Sequence, residues 1–207
     1  MVQHQKRMKS ILPKIDECSN DMIKDIIAKY WCFVELLSFW SVMWYAYFWV
    51  KSEIGKEALS DNLDCEGKEN HQMMLNVFLE ECDAVYDKQT SQYMREVLKP
   101  AWSVLQKYAN QESAFAHIVF LTLAENTSLE FVPRLAQWAA KLWCKNMTYT
   151  DVHGEADIKH AQLFEKAFYD EQKYLWITNE ETNKIIDIYF DIMIRIFEPQ
   201  QVKYKAM

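Results

Sequence analysis

Apolar residues recur at three- and four-residue steps along most of the chain, and no segment shows the two-residue alternation of a half-buried strand. The last run is the clearest. In Glu180–Phe197, residues Ile185, Ile188, Tyr189, Ile192 and Ile196 share one helical face, and Pro199 closes the segment. Before it, Asn110 opens a long helix over Gln111–Trp143, bent near Pro133, with Ile118, Leu121, Leu129 and Val132 on its apolar stripe. Asn20 or Asp21 caps a helix beginning in Asp21–Ile27, and another follows His71 in MMLNVFLEEC. A polar interval, Asp83–Ser91, precedes a helix to Lys99, and Pro100 starts or kinks the segment Ala101–Ala109. A further helix follows Lys145–Thr150 and runs through Phe168. The pattern predicts an all-α domain of six to eight helices over residues 21–207, preceded by a polar arm or short helix over 1–20.

Tyr30–Val50 stands apart. Ten of its 21 residues are aromatic and Glu35 carries its only charge. The length would span a bilayer. The aromatics, however, fill the middle of the run where a span would gather them at its ends, and a carboxylate is costly in hydrocarbon. A core helix, apolar all round, is the expectation, with Glu35 buried and either hydrogen-bonded or near a metal.

Composition narrows the class. The 207 residues suit one domain with a sizeable core, and only three Gly and four Pro fit long helices. A net charge of −7 gives no basic footprint for nucleic acid. Five cysteines without a CxxC pair fit reduced thiols in a cytosol, and the N-terminus shows no signal-peptide core, so a cytoplasmic, non-membrane protein is expected.

The chemistry concentrates in Asp151–His160. His153, Asp157 and His160 stand at i, i+4 and i+7, within roughly 60° of one another around a helix, so they leave one face and are expected to converge on one point. Two imidazoles and a carboxylate form a donor set for non-heme iron, ahead of manganese or zinc. His71 offers another imidazole. Asp64 lies seven residues before it, on its face if the helix is continuous; Glu66 lies five before, about 140° away, unless Gly67 breaks the register. Glu125 sits on the apolar stripe of the long helix, whereas Glu130 keeps polar company. His117 has no carboxylate at metal-ligand spacing.

The run His153-Gly154-Glu155-Ala156-Asp157-Ile158-Lys159-His160-Ala161 resembles the third-ligand helix of the heme-oxygenase-like diiron oxidases. Asp61-Asn62-Leu63, Gly67 and Asn70-His71 resemble that group's first ligand helix, near the Chlamydia protein associated with death domains and PqqC/TenA-like relatives, and Glu125 takes the middle position. The resemblance spans roughly residues 30–168 and implies a heme-oxygenase-like bundle of about seven helices, two Fe per chain and O2 as co-substrate. It implies His71, Glu125, His153, Asp157 and His160 as ligands, with Asp64, Glu66 or Glu35 completing the set. The branch that makes p-aminobenzoate from its own tyrosine carries a Lys ten residues beyond the middle Glu. Here that position is Leu135, which disfavours such chemistry. TenA-type hydrolysis uses a Cys nucleophile, and neither Cys65 nor Cys144 lies in a matching motif.

The function implied is oxidation of a small amino-acid-derived or amine substrate by N-oxygenation, desaturation or C–C cleavage. An external electron donor and a homodimer are both compatible with it. The competing expectations are a metal-free TenA/PqqC-like binding or cofactor-handling protein, a fatty-acid-directed diiron oxidase, and a helical interaction protein docking through Tyr30–Val50.

Overall fold

The computed structural model describes residues 2–198, and among them every regular element is helical. The order is α1 (Val2–Ile11), a 3-10 turn (Ile15–Glu17), α2 (Asn20–Leu37), α3 (Phe39–Trp49), α4 (Glu53–Glu69), α5 (His71–Glu81), α6 (Lys88–Ala109), α7 (Phe115–Lys141), α8 (Thr148–Leu175) and α9 (Asn179–Phe197). The helices enclose one core in a single domain. The expectation of an all-α chain is met.

Side-chain caps set most of the N-termini. The hydroxyl of Ser19 accepts from Met22 N at the head of α2, Asp87 from Thr90 N at the head of α6, and Thr178 forms a reciprocal capping box with Glu181 on α9. With few glycines available, non-glycine residues take the left-handed conformation at several helix ends: Ser38 at φ 52°, Asn70 at φ 51° and Trp176 at φ 52°. Each such residue costs about 1–2 kcal/mol, which surrounding packing must offset.

The helix at the centre is α7. It is buried on most sides, and α8 makes the most extensive packing against it, with α1, α9, α3 and α6 around the remainder. Pro133 lies inside it, as Pro100 lies inside α6. The helix begins at Phe115, not Gln111, because α6 runs unbroken through Pro100 to Ala109 and a turn follows. The opening segment packs in too: Met8 of α1 is fully buried.

Tyr30–Val50 is not one central helix. Ser38 breaks it, turning α3 away from α2. Half of α2 is buried, but α3 turns only Val42, Met43 and Ala46 inward. Trp40, Trp44 and Phe48, one helical turn apart, are 45%, 40% and 72% exposed. The apolar run over Asn20–Trp49 remains long and apolar enough by composition to cross a membrane. Within this fold, however, one face of α2 is core and α3 carries an exposed aromatic stripe.

Candidate metal centre

A cavity of about 520 Å³ opens between α2, α3, α4, α5, α7 and α8. Its walls are apolar and aromatic, including Tyr30, Phe33, Phe39, Leu121, Phe131 and Tyr149. Its polar lining brings together His71, Glu66, Glu125, His153, Asp157 and His160 from four helices.

These residues form two donor sets. In the first, ligand atoms of Glu66, His71 and His153 lie within 4.8 Å of one another. His71 Nδ1 is 2.8 Å from Glu66 Oε1, and the His71 and His153 rings are 4.5 Å apart. His153 Nδ1 is 2.7 Å from the Tyr149 carbonyl one helical turn earlier. That bond places the proton on Nδ1 and presents Nε2 as the donor atom, the arrangement that orients a ligating imidazole. In the second set, Glu125, Asp157 and His160 meet within the same limit. His160 Nδ1 is 3.8 Å from Glu125 Oε2, and Asn62 donates to Glu125 Oε1 at 2.6 Å.

The His153/Asp157/His160 motif therefore does not converge on one point. A helical face is about three residues wide, but its members are separated along the axis by 1.5 Å per residue. His153 reaches the α4–α5 pair, while Asp157 and His160 reach α7 one to two turns further on.

The α4–α5 junction decides between the two acids that precede His71. Asn70 adopts φ 51° and ends α4, so positions on α4 and His71 on α5 no longer share one helical register. The break falls at Asn70, not Gly67, which lies inside α4. Asn62 and Glu66, four apart, face the cavity. Asp64 is two residues from each, about 200° around the helix, and is exposed outside the cavity lining. Glu66, not Asp64, is the acid at the site. Glu35 differs as well: it is exposed, not buried, because α2 turns that face outward at the cavity mouth. His117 is buried away from both sets, stacked on Tyr45 at 4.4 Å.

Two residues not anticipated as ligands adjoin the centre. Asp61 and Cys65, four apart on α4, form a third grouping with His160. Asp61 Oδ2 is 3.4 Å from His160 Nε2, and Lys159 donates to Asp61 Oδ1 at 2.7 Å. The i, i+4 spacing was present in the sequence. What joins it to His160 is the packing of α4 on α8, which spacing does not encode.

The electrostatics call for cations. Four carboxylates (Glu35, Glu66, Glu125, Asp157) and three imidazoles line the cavity, and no Lys or Arg does. Without a counter-charge, burial drives the Asp157 carboxyl up to about 7, and Glu66 adds to it against the opposing pull of Ser128 and His71. Burial and then Asp157 push Glu125 well above the ordinary carboxylate range, against the Asn62 hydrogen bond. Burial lowers His160, keeping its imidazole neutral. Acids held protonated by burial beside imidazoles are groups that a divalent cation would ionise and coordinate.

No protein-family model, curated protein or solved structure matches this chain.

Proposed function

We propose that the protein is a non-heme diiron oxidase or oxygenase of the heme-oxygenase-like kind, acting on a small amine or amino-acid-derived molecule. The observation that carries this reading is the pair of adjacent, buried to half-buried donor sets, each two-parts oxygen to one-part imidazole or the reverse, in a cavity lined by no Lys or Arg. Glu66, His71 and His153 would hold one ion, and Glu125, Asp157 and His160 the other. The mixture of carboxylate and imidazole suits ferrous iron better than zinc, which favours thiolate-rich or tetrahedral sets, or magnesium, which favours oxygen alone. Bound iron would supply the redox equivalents for reaction with O2.

The chain's own residues do the rest. Asn62 orients Glu125, and the Tyr149 carbonyl orients His153. Tyr30 and Tyr149, hydrogen-bonded at 2.7 Å between hydroxyls, close the cavity floor with a pair that burial keeps protonated. The aromatic walls exclude water from whatever bond is placed beside the donors. At the mouth, Glu35 with Ser38, Asn70 and Gln72 provides an acidic, hydrogen-bonding rim that suits a substrate ammonium.

Anaerobic loading with Fe(II), followed by elemental analysis, tests the reading. Close to two Fe per chain is expected, with loss of bound iron in His71→Ala, His153→Ala and His160→Ala while the far-UV helical signal is kept. Iron near zero in the wild type, or undiminished iron in all three variants, would sink it.

A further inference from the structure

Outside the cavity, two cysteines meet. Cys82 caps the C-terminus of α5, and Cys144 follows the end of α7. They are 62 residues apart in sequence, yet their sulfurs lie 2.7 Å apart. Non-bonded heavy atoms pack at about 3.5–4.0 Å and a disulfide closes at about 2.05 Å, so this separation is nearer to bonding than to packing. We propose that Cys82 and Cys144 form a dithiol that is oxidised to an intramolecular disulfide.

One hydrogen bond joins the two segments, and three more fix each of them in place. The Lys145 backbone N–H donates to Glu81 Oε2 at 3.2 Å, directly beside the sulfurs. Lys24 pairs with Asp83 at 2.5 Å, pinning the residue after Cys82 to α2. Cys144 N donates to Ala139 O at 3.0 Å and Cys82 N to Phe78 O at 3.1 Å, so each cysteine is fixed to the helix it follows.

The two thiols differ in access. Cys82 is buried, and burial together with the Cys144 sulfur holds its thiol well above the usual range. Cys144 is half-buried, beside the cationic Lys24 and the Lys145 main chain. Cys144 therefore reacts first. With a hydroperoxide as oxidant, its thiolate attacks the terminal peroxide oxygen, the O–O bond breaks, and Cys144 becomes a sulfenic acid as the remaining oxygen leaves as water or alcohol. The Cys82 sulfur then attacks the Cys144 sulfur, the S–O bond breaks, and water departs with the Cys82 proton. Two thiols lose two electrons and two protons, and the peroxide gains them.

The bond would bear on the cavity through rigid elements. It ties the end of α5, which begins at His71, to the segment entering α8, which carries His153. Phe78 of α5 packs on Tyr149 of α8 at 5.6 Å within the same interface. The inference does not depend on any metal in that cavity.

The test treats the reduced full-length chain with a small excess of hydrogen peroxide, quenches it in denaturant with N-ethylmaleimide, and reads intact mass and peptide maps. The wild type should become two hydrogens lighter before labelling. It should take maleimide on Cys18, Cys32 and Cys65 alone and yield a Cys82–Cys144 linked peptide. Its melting temperature should rise by several degrees on oxidation, since the cross-link restricts the unfolded chain. Cys144→Ser and Cys82→Ala should show neither the linked peptide nor the shift. If Cys82→Ala does not fold, Cys144→Ser at the less buried partner gives the same reading. Maleimide on all five cysteines after peroxide, a bond to Cys65 or between chains, or further oxidation of Cys144 without linkage would each overturn the proposal.

Discussion

In the metal-free protein the proton on Asp157 bears directly on stability. Its carboxyl is held up to about 7 against an ordinary 3.8, with burial as the first cause. A carboxyl whose folded pKa exceeds its unfolded one stabilises the fold at low pH, and that contribution disappears as pH rises through the folded value. At 1.36 kcal/mol per pH unit, the interval corresponds to about 4 kcal/mol lost between pH 4 and 8. His117 works in the opposite direction: burial lowers it from 6.5 to about 4, so its stabilisation is present above 6.5 and lost as pH falls through 4. The raw stability curve mixes the two. The difference between wild type and Asp157→Asn cancels His117, because Asn keeps the shape and never ionises. In urea unfolding with chelator present, the two proteins should be close at pH 4. The variant should be the more stable by about 4 kcal/mol at pH 8. Anaerobic Fe(II) should reverse that order at pH 8, since the wild type gains a bound ion and the variant has lost a donor. A wild type–variant difference independent of pH, or a wild type more stable than the variant at pH 8 without metal, would refute the reasoning.

Glu66→Gln should reduce iron to about one per chain, while Asp64→Asn leaves it unchanged, as measured by elemental analysis after loading. Glu171 is fully buried and accepts from Lys51 N at 2.6 Å and Ser52 N at 2.7 Å, ahead of α4. Its replacement by Ala should cost about 3 kcal/mol in urea unfolding, and Glu171→Gln about half that. Gly55→Ala gains roughly 1 kcal/mol of helix propensity. Its Cβ would nevertheless collide with the Val50 side chain and lie 2.7 Å from Ser52 Oγ, so a net loss and a lower melting temperature are expected.

Helical class was legible because periodicity is a local property. The apolar stripe of α9 and the absence of strand alternation follow from residues within a turn or two of one another, whereas the cap of α2 is Ser19 and the expected Asn20 and Asp21 lie inside the helix. Helix interruptions were less legible. Ser38 and Asn70 take left-handed backbone without glycine, and although Asn adopts it more readily than most residues, residue type alone did not fix the breaks that split α2 from α3 and α4 from α5. Those two breaks account for both carboxylate corrections. The break at Asn70 removed Asp64 from the register of His71. The break at Ser38 meant that one buried helix never existed, and Glu35 at the end of α2 lies at an open mouth.

The remainder of the centre was hidden because it is made by helix packing. His153, Asp157 and His160 could be placed on one face from spacing alone, but spacing does not say what each would meet along α8. The observed partners are Glu66 and His71 at the N-terminal end of that face and Glu125 further along, so one motif serves two donor sets. The same separation explains the charge imbalance. A single mononuclear site would gather one or two carboxylates, whereas two adjacent sites bring three buried or half-buried acids into one cavity with no Lys or Arg to answer them. Withdrawing acids from water with only imidazoles beside them is unfavourable unless the acids are protonated or cations arrive. A merely structural polar core would more simply have replaced Glu125 or Asp157 by an amide. Glu125 and Asp157 are acids despite the cost of their burial, a cost that a bound cation would offset.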